Sequence, residues 1–350
     1  MKKVLVLLLC CLLPAGFLCA RGARERTIDG DVAINVMLVD GPPIVAMAEM
    51  MSQGAAVKEG YNISYTVVHD PNALIAALLN QEPDFAIAPI NVASIMHNNG
   101  SGYRLAAVTW GMMHIVSNQN ITSLEELKGE TIIAFGRGAM PSITLRAILE
   151  QNNIEYVEPV GTNFTPDPNR VHIIYLASAL DVRNIIVAGT LDGLPVRFGL
   201  LAEPVATAIG GATANAAHGQ FLPRINLQTE WARNNNGQIP PQTGLIFHER
   251  LLASHADFVN AFINMAELSS LYAQNNPVSA GDMAVRLGSI AIPNGAIVAA
   301  AVNAGRLPIH ITRARDAMAD VNAYFQVILN ETPALIGGRM PPDIFFYAPE

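Results

Sequence analysis

The chain has 350 residues, of which 51% are hydrophobic and 14% are charged, and its formal net charge is −8. An acidic chain with so few charges is unsuited to a nucleic-acid backbone or to an anionic membrane surface. After the first 20 residues, no apolar run reaches the roughly 20 residues that a membrane-spanning helix needs. Composition therefore predicts a soluble globular body whose length suits two domains.

Residues 1–20 have the layout of a secretory signal peptide. A lysine pair precedes an apolar run over residues 4–13, small residues follow, and the predicted cleavage position is after Ala20. Lipid attachment at Cys19 is the alternative, although the three residues before it fit a lipobox poorly. Both interpretations stay open, and both predict a periplasmic or extracytoplasmic protein, either soluble or lipid-anchored to the membrane.

All three cysteines of the chain lie in this same segment, at Cys10, Cys11 and Cys19. The mature protein is therefore predicted to have no disulfide bond and no cysteine chemistry, apart from the lipid anchor that Cys19 would carry. A domain of this length buries enough apolar surface to fold without disulfide bonds.

The rest of the chain alternates between strand patterns and helical patterns, after a polar linker over residues 21–31. Predicted strands cover residues 34–39, 63–68, 85–88, 105–109, 131–135, 171–176 and 198–202. Predicted helices cover residues 44–51, 71–79, 141–151, 178–188, 203–209, 256–273, 280–287, 297–304 and 312–330.

This alternation predicts an α/β fold with right-handed crossovers and mainly parallel sheets. The pattern runs twice and then returns as a helical tail, which indicates lobe 1 over residues 32–115 and 248–350. Lobe 2, residues 116–247, is inserted into it, with crossings predicted at 113–117 and 243–247. Ligands of such sheets bind outside the carboxyl ends of the strands, so we expect the site in the cleft between the lobes.

Residues 122–141 carry the most specific local signal. A capping-box pattern that begins at Ser123 leads into a short apolar strand over residues 132–135. Gly136 and Gly138 follow, immediately before the next predicted helix, and they allow close approach of the backbone to a ligand. This pattern predicts a binding loop, because it contains no nucleophile and no cluster of metal ligands.

Catalytic and cofactor signals are missing elsewhere in the sequence as well. The eight histidines are scattered singly, without the paired spacing that binds zinc. The glycine pairs form neither a dinucleotide fingerprint nor a P-loop. The sequence therefore predicts no catalytic residue, no metal and no cofactor.

Five stretches together resemble the type II periplasmic solute-binding proteins of ABC importers. They are EPDFAIAPINVA at 82–93, VTWG at 108–111, the segment 123–138, LAEPVA at 201–206, and IGGRMPPDIFFY at 336–347. The branch that they resemble is the nitrate/sulfonate/taurine and thiamine-precursor-like (NitT/TauT-type) group. The resemblance covers the chain from about residue 30 to the end and implies a two-lobed Venus flytrap fold with a helical C-terminal tail.

The resemblance also implies which loops contact the ligand. The first lobe would contribute Gly41, Pro42, Pro43, Asn91, Val92, Trp110 and Gly111. The second lobe would contribute Gly136, Arg137, Gly138, Ala139, Ser178, Ala179, Glu203 and Pro204. Helix N-termini in these loops would present free N–H groups to electron-rich parts of a ligand.

Four of these side chains also have ordinary structural interpretations, which stay open. Trp110 would be core or hinge packing, and Asn91 would be a helix N-cap. Arg137 would be a solvated loop tip, and Glu203 would be an acidic residue in a first helical turn. Because Arg137 is the one cation in the mapped loops, the pattern favours an uncharged or weakly polar organic ligand, such as a heterocycle stacked on Trp110.

The function implied by the resemblance is that of an extracytoplasmic substrate-binding subunit of an ABC importer. Such a subunit captures a small solute by hinge closure and delivers it to a membrane permease with its ATPase. This implies a monomer with no enzymatic activity and no nucleic-acid partner. One alternative is an enzyme on the same fold that resembles the thiamine-pyrimidine synthases, whose cysteine-rich motif the predicted mature chain lacks. The other alternative is a sensor input domain or an adhesin.

Overall fold

A computed structural model describes residues 27–28, 31–53, 57–138 and 140–348. The predicted signal peptide, the lipidation position Cys19 and the candidate ligand contact Ala139 lie outside the described residues.

The strands and helices are numbered in chain order. The strands are β1 Thr27–Ile28, β2 Asp31–Val39, β3 Tyr61–Val68, β4 Phe85–Pro89, β5 Tyr103–Thr109, β6 Met113–Ser117, β7 Thr131–Phe135, β8 Tyr156–Val157, β9 Val171–Leu176, β10 Thr190–Leu191, β11 Leu194–Pro195, β12 Phe198–Ala202, β13 Leu222–Asn226, β14 Thr243–His248 and β15 Ile311–Arg313. The α-helices are α1 Pro42–Ser52, α2 Pro71–Leu79, α3 Ile90–Asn98, α4 Met140–Gln151, α5 Ala179–Ala188, α6 Val205–Ala212, α7 Leu227–Asn234, α8 Glu249–Ser254, α9 Ala256–Asn275, α10 Pro277–Arg286, α11 Gly295–Asn303 and α12 Met318–Glu331. Short 3₁₀ helices cover Leu124–Leu127, Pro333–Ile336 and Asp343–Phe345.

The strands form two large sheets and one small hairpin. The first sheet has the order β1-β2-β4-β14-β5-β15, with β3 beside β2, and the second has the order β13-β6-β12-β7-β9-β8. Four of the seven strands in the first sheet share one direction, and five of the six in the second sheet do. The predicted α/β class is confirmed, and both sheets are mixed, with β14 running against both of its neighbours.

Long apolar runs explain why the strands of the sheet interiors form where they do. Strands β7, β9 and β12 have the predicted bounds, because a strand covered on both faces is a continuous run of apolar residues. Asp70 caps α2 as predicted, accepting a hydrogen bond from the N–H of Asn72. The predicted capping box at Ser123 is present as well.

Three local predictions are wrong. The segment predicted as one helix over residues 312–330 begins with β15, because its β-branched residues pair with β5, and α12 starts only at Met318. Strand β13 and helix α7 are missing from the predicted elements. The segments predicted as crossings, 113–117 and 243–247, are strands inside the second and first sheets, and the chain passes between the sheets at residues 110–112.

The C-terminal helix α12 packs against elements of the second sheet although it follows β15 of the first sheet. The hydroxyl oxygens of Tyr324 and Thr144 on α4 lie 3.3 Å apart, and the ring of Tyr324 packs edge-on against Trp231 on α7, with the ring centroids 5.4 Å apart. Farther along α12, Phe325 packs beside Phe345. One buried apolar cluster therefore includes residues from both sheets and from α12.

Candidate functional site

The carboxyl ends of three strands lie along one edge of the first sheet. Strands β2 and β4 are parallel, and β14 runs antiparallel to both β4 and β5, so β4 and β5 share a direction. Thr243 of β14 lies opposite both Pro89 and Thr109, the last residues of β4 and β5. The segments that begin with Gly41, Asn91 and Trp110 therefore leave the sheet at the same edge.

The second sheet has an equivalent edge. Strands β12, β7 and β9 are parallel neighbours, and the segments that follow them begin near Glu203, Gly136 and Ser178. The predicted second-lobe residues therefore leave the sheet at its carboxyl edge as well.

A three-residue connector joins the two edges. Residues 110–112 link the end of β5 to the start of β6, and Met113 of β6 is the register partner of Ala202 at the end of β12. Because four residue steps span at most about 14 Å, the carboxyl edges of the two sheets lie close to one another. The candidate site is the region between these edges, with the connector as its floor.

The Gly41–Pro43 segment forms the start of α1. Gly41 has φ of 132°, which favours glycine, and Pro42 and Pro43 occupy the first turn of the helix. Asp40, just before them, accepts hydrogen bonds from the backbone of Ile290 and Ala291, so a loop of the C-terminal region is fixed beside this segment.

Asn91 lies inside the first turn of α3, because the helix begins at Ile90 with Pro89 as its N-cap. The N-cap interpretation of Asn91 is therefore wrong. Asn91 as a whole is 5% exposed. Val92, its predicted companion, is buried in the apolar cluster between the sheets.

Trp110 is packed within the protein. Its Nε1 donates to Thr312 Oγ1 at 2.8 Å, its ring stacks on His310 at 5.8 Å between centroids, and 6% of the residue is exposed. Gly111 follows, and a methyl group added there would lie 1.7 Å from Gln242 Oε1. The Gln242 amide therefore lies directly against the connector.

The glycine loop after β7 holds an arginine that is already paired. Gly136 and Gly138 have φ of 69° and 73°, and the Gly138 N–H donates to Ser142 Oγ at 2.9 Å. Arg137 donates to Glu158 Oε2 from Nε at 3.2 Å and from a terminal nitrogen at 2.7 Å. Its guanidinium also lies over the Tyr175 ring. An anion at this loop would have to compete with the Glu158 carboxylate.

Ser178 and Ala179 begin helix α5, and the first helical N–H groups are capped from within the chain. Ser178 Oγ accepts from the Asp181 N–H at 3.2 Å, and the Asp181 carboxylate accepts from the Ser178 N–H at 3.0 Å. A cavity of about 360 Å³ lies beside this end of α5. It is lined by Leu176, Ala177, Asp181, Asn184, Ile185 and Leu191.

Glu203, at the carboxyl edge of the second sheet, forms a buried ion pair with Arg306. Its Oε1 accepts from Arg306 Nε at 3.1 Å and its Oε2 accepts from the Thr207 N–H at 3.0 Å. Burial raises the pKa of Glu203 above its ordinary value, while the Thr207 and Arg306 contacts oppose that rise. Pro204 follows through a cis peptide bond and precedes α6 directly.

His114 Nε2 lies 3.4 Å from Glu203 Oε1, too poorly placed for a hydrogen bond. Burial, with a smaller contribution from the charge of Arg306, lowers the pKa of His114 to about 4. His114 is therefore uncharged at neutral pH.

Sequence reasoning missed Gln228, Gln242 and Arg306. The first two belong to the stretch of residues 222–242 in which no element was predicted. Gln228 Oε1 accepts from the Met113 N–H at 2.8 Å. Arg306 follows α11 and reaches a partner 103 residues away, which no local pattern signals.

Solved structures share this architecture. An ABC transporter protein from Parabacteroides distasonis is 20% identical with a TM-score of 0.72, over 91% of this chain and 100% of that one. The chain has the fold of the periplasmic binding proteins. The aliphatic sulphonate-binding protein SsuA from Escherichia coli is 13% identical with a TM-score of 0.64, over 91% and 92% of the two chains. The alkanesulfonate-binding protein SsuA from Xanthomonas axonopodis pv. citri, bound to MOPS, is 13% identical with a TM-score of 0.60, over 89% and 96%.

The likeness lies in the fold and not in the sequence. No protein-family model matches the chain, and no curated protein matches it in sequence. The predicted resemblance to the periplasmic binding proteins is thus confirmed at the level of the fold.

The described residues carry no further sign of a metal or membrane site. Within them, no three or more histidine, cysteine, aspartate or glutamate side chains are grouped so that they could hold a metal ion. None of the helices that the structure describes is both long and apolar enough to cross a bilayer.

Proposed function

We propose that the protein is the extracytoplasmic substrate-binding subunit of an ABC importer. It holds a small organic solute between the carboxyl edges of its two sheets and delivers it to a membrane permease. The observation that supports this proposal best is the placement of these edges on either side of the 110–112 connector, with the starts of helices on both. The likeness to ABC-transporter binding proteins supports it independently.

In this proposal the lobes follow the predicted division into residues 32–115 with 248–350 and residues 116–247, except that β6 belongs with the second lobe and β14 with the first, as their sheets require. The 110–112 connector is the hinge, and the return passage lies between the end of α7 and the start of β14. A solute stabilises the closed form by as much as it binds that form more tightly than the open one. The proposed protein is a monomer that does not transform its ligand, and the predicted export signal places it outside the cytoplasm.

The proposed ligand contacts are the predicted loop residues at the carboxyl edges of the two sheets. Some of their side chains already have partners within the protein. Arg137 and Glu203 each have a charged partner, and Trp110 has a hydrogen-bond partner and a stacking partner. Their direct contact with a solute stays a prediction. In the Gly136–Gly138 loop the Gly138 N–H already donates to Ser142 Oγ, so the Asn91 amide is the side-chain contact on which this proposal relies.

A binding screen followed by a transport assay tests the function. Thermal-shift measurement and calorimetry with the mature chain would use nitrate, taurine, alkanesulfonates, MOPS, pyrimidines, ureides and other small heterocycles. We expect micromolar or tighter binding of one solute class and a raised melting temperature that grows with solute concentration. The bound solute should be recovered chemically unchanged. Binding of no solute by a folded protein, or turnover of the bound solute, would refute the proposal.

A further inference from the structure

Gln228 presents an unused hydrogen-bond donor at the connector. The residue is 2% exposed and lies in the first turn of α7. Its Oε1 accepts from the Met113 N–H at 2.8 Å, which fixes the orientation of the amide, because only the oxygen can accept. Its Nε2 is buried and has no hydrogen-bond partner among the described residues.

Gln242 places a second amide against Gly111 of the connector, two residues before Met113. Its backbone is held on both sides, since its N–H donates to Thr109 O at 2.9 Å and its carbonyl accepts from the Ile90 N–H at 3.2 Å. Its side-chain amide lies against Gly111, and its Oε1 is buried without a partner in the described part of the chain.

Asn91 adds a third amide beside them. It directly follows Ile90, whose N–H bonds to Gln242, so it lies at the same point of the edge. The residue is 5% exposed and lies in the first turn of α3.

Unused amide groups of this kind are costly for a folded protein. A buried polar group without a partner costs about 1–3 kcal/mol, and proteins leave few of them. Two such amide atoms, Gln228 Nε2 and Gln242 Oε1, belong to side chains that meet the chain at Met113 and at Gly111. Their grouping indicates that something outside the chain completes their hydrogen bonding.

The charges near these amides are already balanced. Glu203, close to the connector through its backbone bond to Met112, is paired with Arg306. His114, beside Glu203, is uncharged at neutral pH. The site therefore offers hydrogen-bond donors and acceptors without a net charge to attract an ion.

We propose that Asn91, Gln228 and Gln242 form an amide floor that binds an uncharged ligand with adjacent donor and acceptor groups. Cyclic amides, ureides and pyrimidine bases have this pattern, whereas sulfonates and nitrate offer only acceptors and carry a charge. The proposal rests on the proposed function and specifies the ligand class of that same site.

The test uses amide-removing variants with a matched control. Gln242→Met deletes a side-chain amide whose Oε1 is buried without a partner among the described residues, and Asn91→Leu deletes the neighbouring amide in the first turn of α3. Gln326→Leu, on the exposed face of α12 where the side chain donates to Asn330, is the control. Calorimetry would measure the affinity of uracil, cytosine and hydantoin, and of taurine, nitrate and MOPS, for each protein.

We expect the wild type to bind an uncharged probe in preference to the anions. Asn91→Leu and Gln242→Met should each weaken that binding about 5- to 10-fold, the value of one hydrogen bond. The melting temperature of unliganded Gln242→Met should stay the same or rise, because a buried unpaired amide oxygen has been removed. Gln326→Leu should leave the affinity unchanged.

The remaining outcomes overturn the amide floor. Anion binding that is unaffected by both variants would refute it while leaving the proposed function intact. Unchanged affinity with a raised melting temperature would mean that the amides hold only water. Loss of affinity together with a lowered melting temperature would mean that they support the fold. Binding of no probe and of no other solute would refute the proposed function as well.

Discussion

The ion pair between Arg306 and Glu203 joins the elements of the two sheets, and its removal should destabilise the protein measurably. Arg306 follows α11 and precedes β15 of the first sheet, while Glu203 follows β12 of the second sheet. Arg306 also donates to Thr207 Oγ1 at 3.0 Å. Arg306→Leu would leave the Glu203 carboxylate without its cation and with its hydrogen bonding to Thr207.

The magnitude follows from the burial of the two partners. Removing one partner of a buried ion pair costs about 3–5 kcal/mol, because a buried charge is left uncompensated. Here the Glu203 side chain is 0% exposed but the Arg306 side chain is 32% exposed, so solvent screens part of the attraction. We therefore expect Arg306→Leu to lower the free energy of unfolding by about 2–3 kcal/mol.

A double-mutant cycle isolates the pair from the effects of the individual side chains. Urea unfolding of Arg306→Leu, Glu203→Leu and the double variant at pH 7.5 should give a coupling energy of about 1–3 kcal/mol. Arg197→Leu is the control, since its guanidinium is 3.6 Å from Glu130 and its side chain is 53% exposed. It should cost less than about 1 kcal/mol. A coupling energy near zero would show that Glu203 and Arg306 do not stabilise one another.

Three further changes should alter stability in directions fixed by the structure. Burial, followed by the charge of Glu150, raises the pKa of Glu331 to about 7 and penalises its ionised form, so Glu331→Gln should raise the free energy of unfolding by about 1–3 kcal/mol at pH 8. In urea titrations, the stabilisation by Glu331→Gln should vanish below pH 4.5. A stabilisation that does not depend on pH would contradict this reasoning. Because the pKa of His114 is lowered to about 4, the wild type should lose stability as the pH falls from 6.5 to about 4. His114→Asn should reduce that loss by about 1–3 kcal/mol. An acid-unfolding profile that His114→Asn leaves unchanged would contradict this assignment. Gly295→Ala would place a methyl carbon 2.0 Å from a backbone oxygen of α10 and should lower the free energy of unfolding by about 1–3 kcal/mol. Gly211→Ala, which has open space around it, should be neutral or slightly stabilising. Equal effects of the two variants on urea unfolding would show that the chain relieves the contact at Gly295.

The sequence was sufficient to predict the strands that build the two edges. Buried strands such as 131–135 and 198–202 are continuous apolar runs, and the strand–helix alternation fixes which ends of parallel strands meet. The positions of the loops at the carboxyl edges followed from that topology. This topology, together with the resemblance to the periplasmic solute-binding proteins, predicts that residues as distant as Gly41 and Ser178 lie in one region.

Strand β13 and helix α7 escaped prediction for identifiable reasons. Leu222–Asn226 contains a proline and an arginine and lies at the end of its sheet, so it lacks the apolar signal of an interior strand. Leu227–Asn234 is short and polar, and its stability comes from the burial of Trp231 against α12. Local propensity gives little warning of an element that tertiary packing stabilises.

The roles of individual side chains were harder to predict than the loops that carry them. Glu203 was a candidate ligand contact, but its carboxylate is engaged by Arg306, 103 residues later. Arg137 was the candidate for an anion, but Glu158 holds it. In both cases the partner is remote in sequence, and a charged residue in a loop does not reveal whether its charge is already neutralised.

The distribution of charge and of unused hydrogen bonds accounts for the kind of selectivity that we propose. The Arg137–Glu158 and Arg306–Glu203 pairs place each cation beside an anion, so the edges attract neither kind of ion strongly. At the connector, by contrast, the amide floor leaves hydrogen-bonding capacity that no described side chain uses. A site of this composition discriminates by the pattern of donors and acceptors, because a ligand that leaves those amides unpaired pays their desolvation without compensation. Hinge closure over the connector would then be stable only with a ligand whose pattern matches the floor.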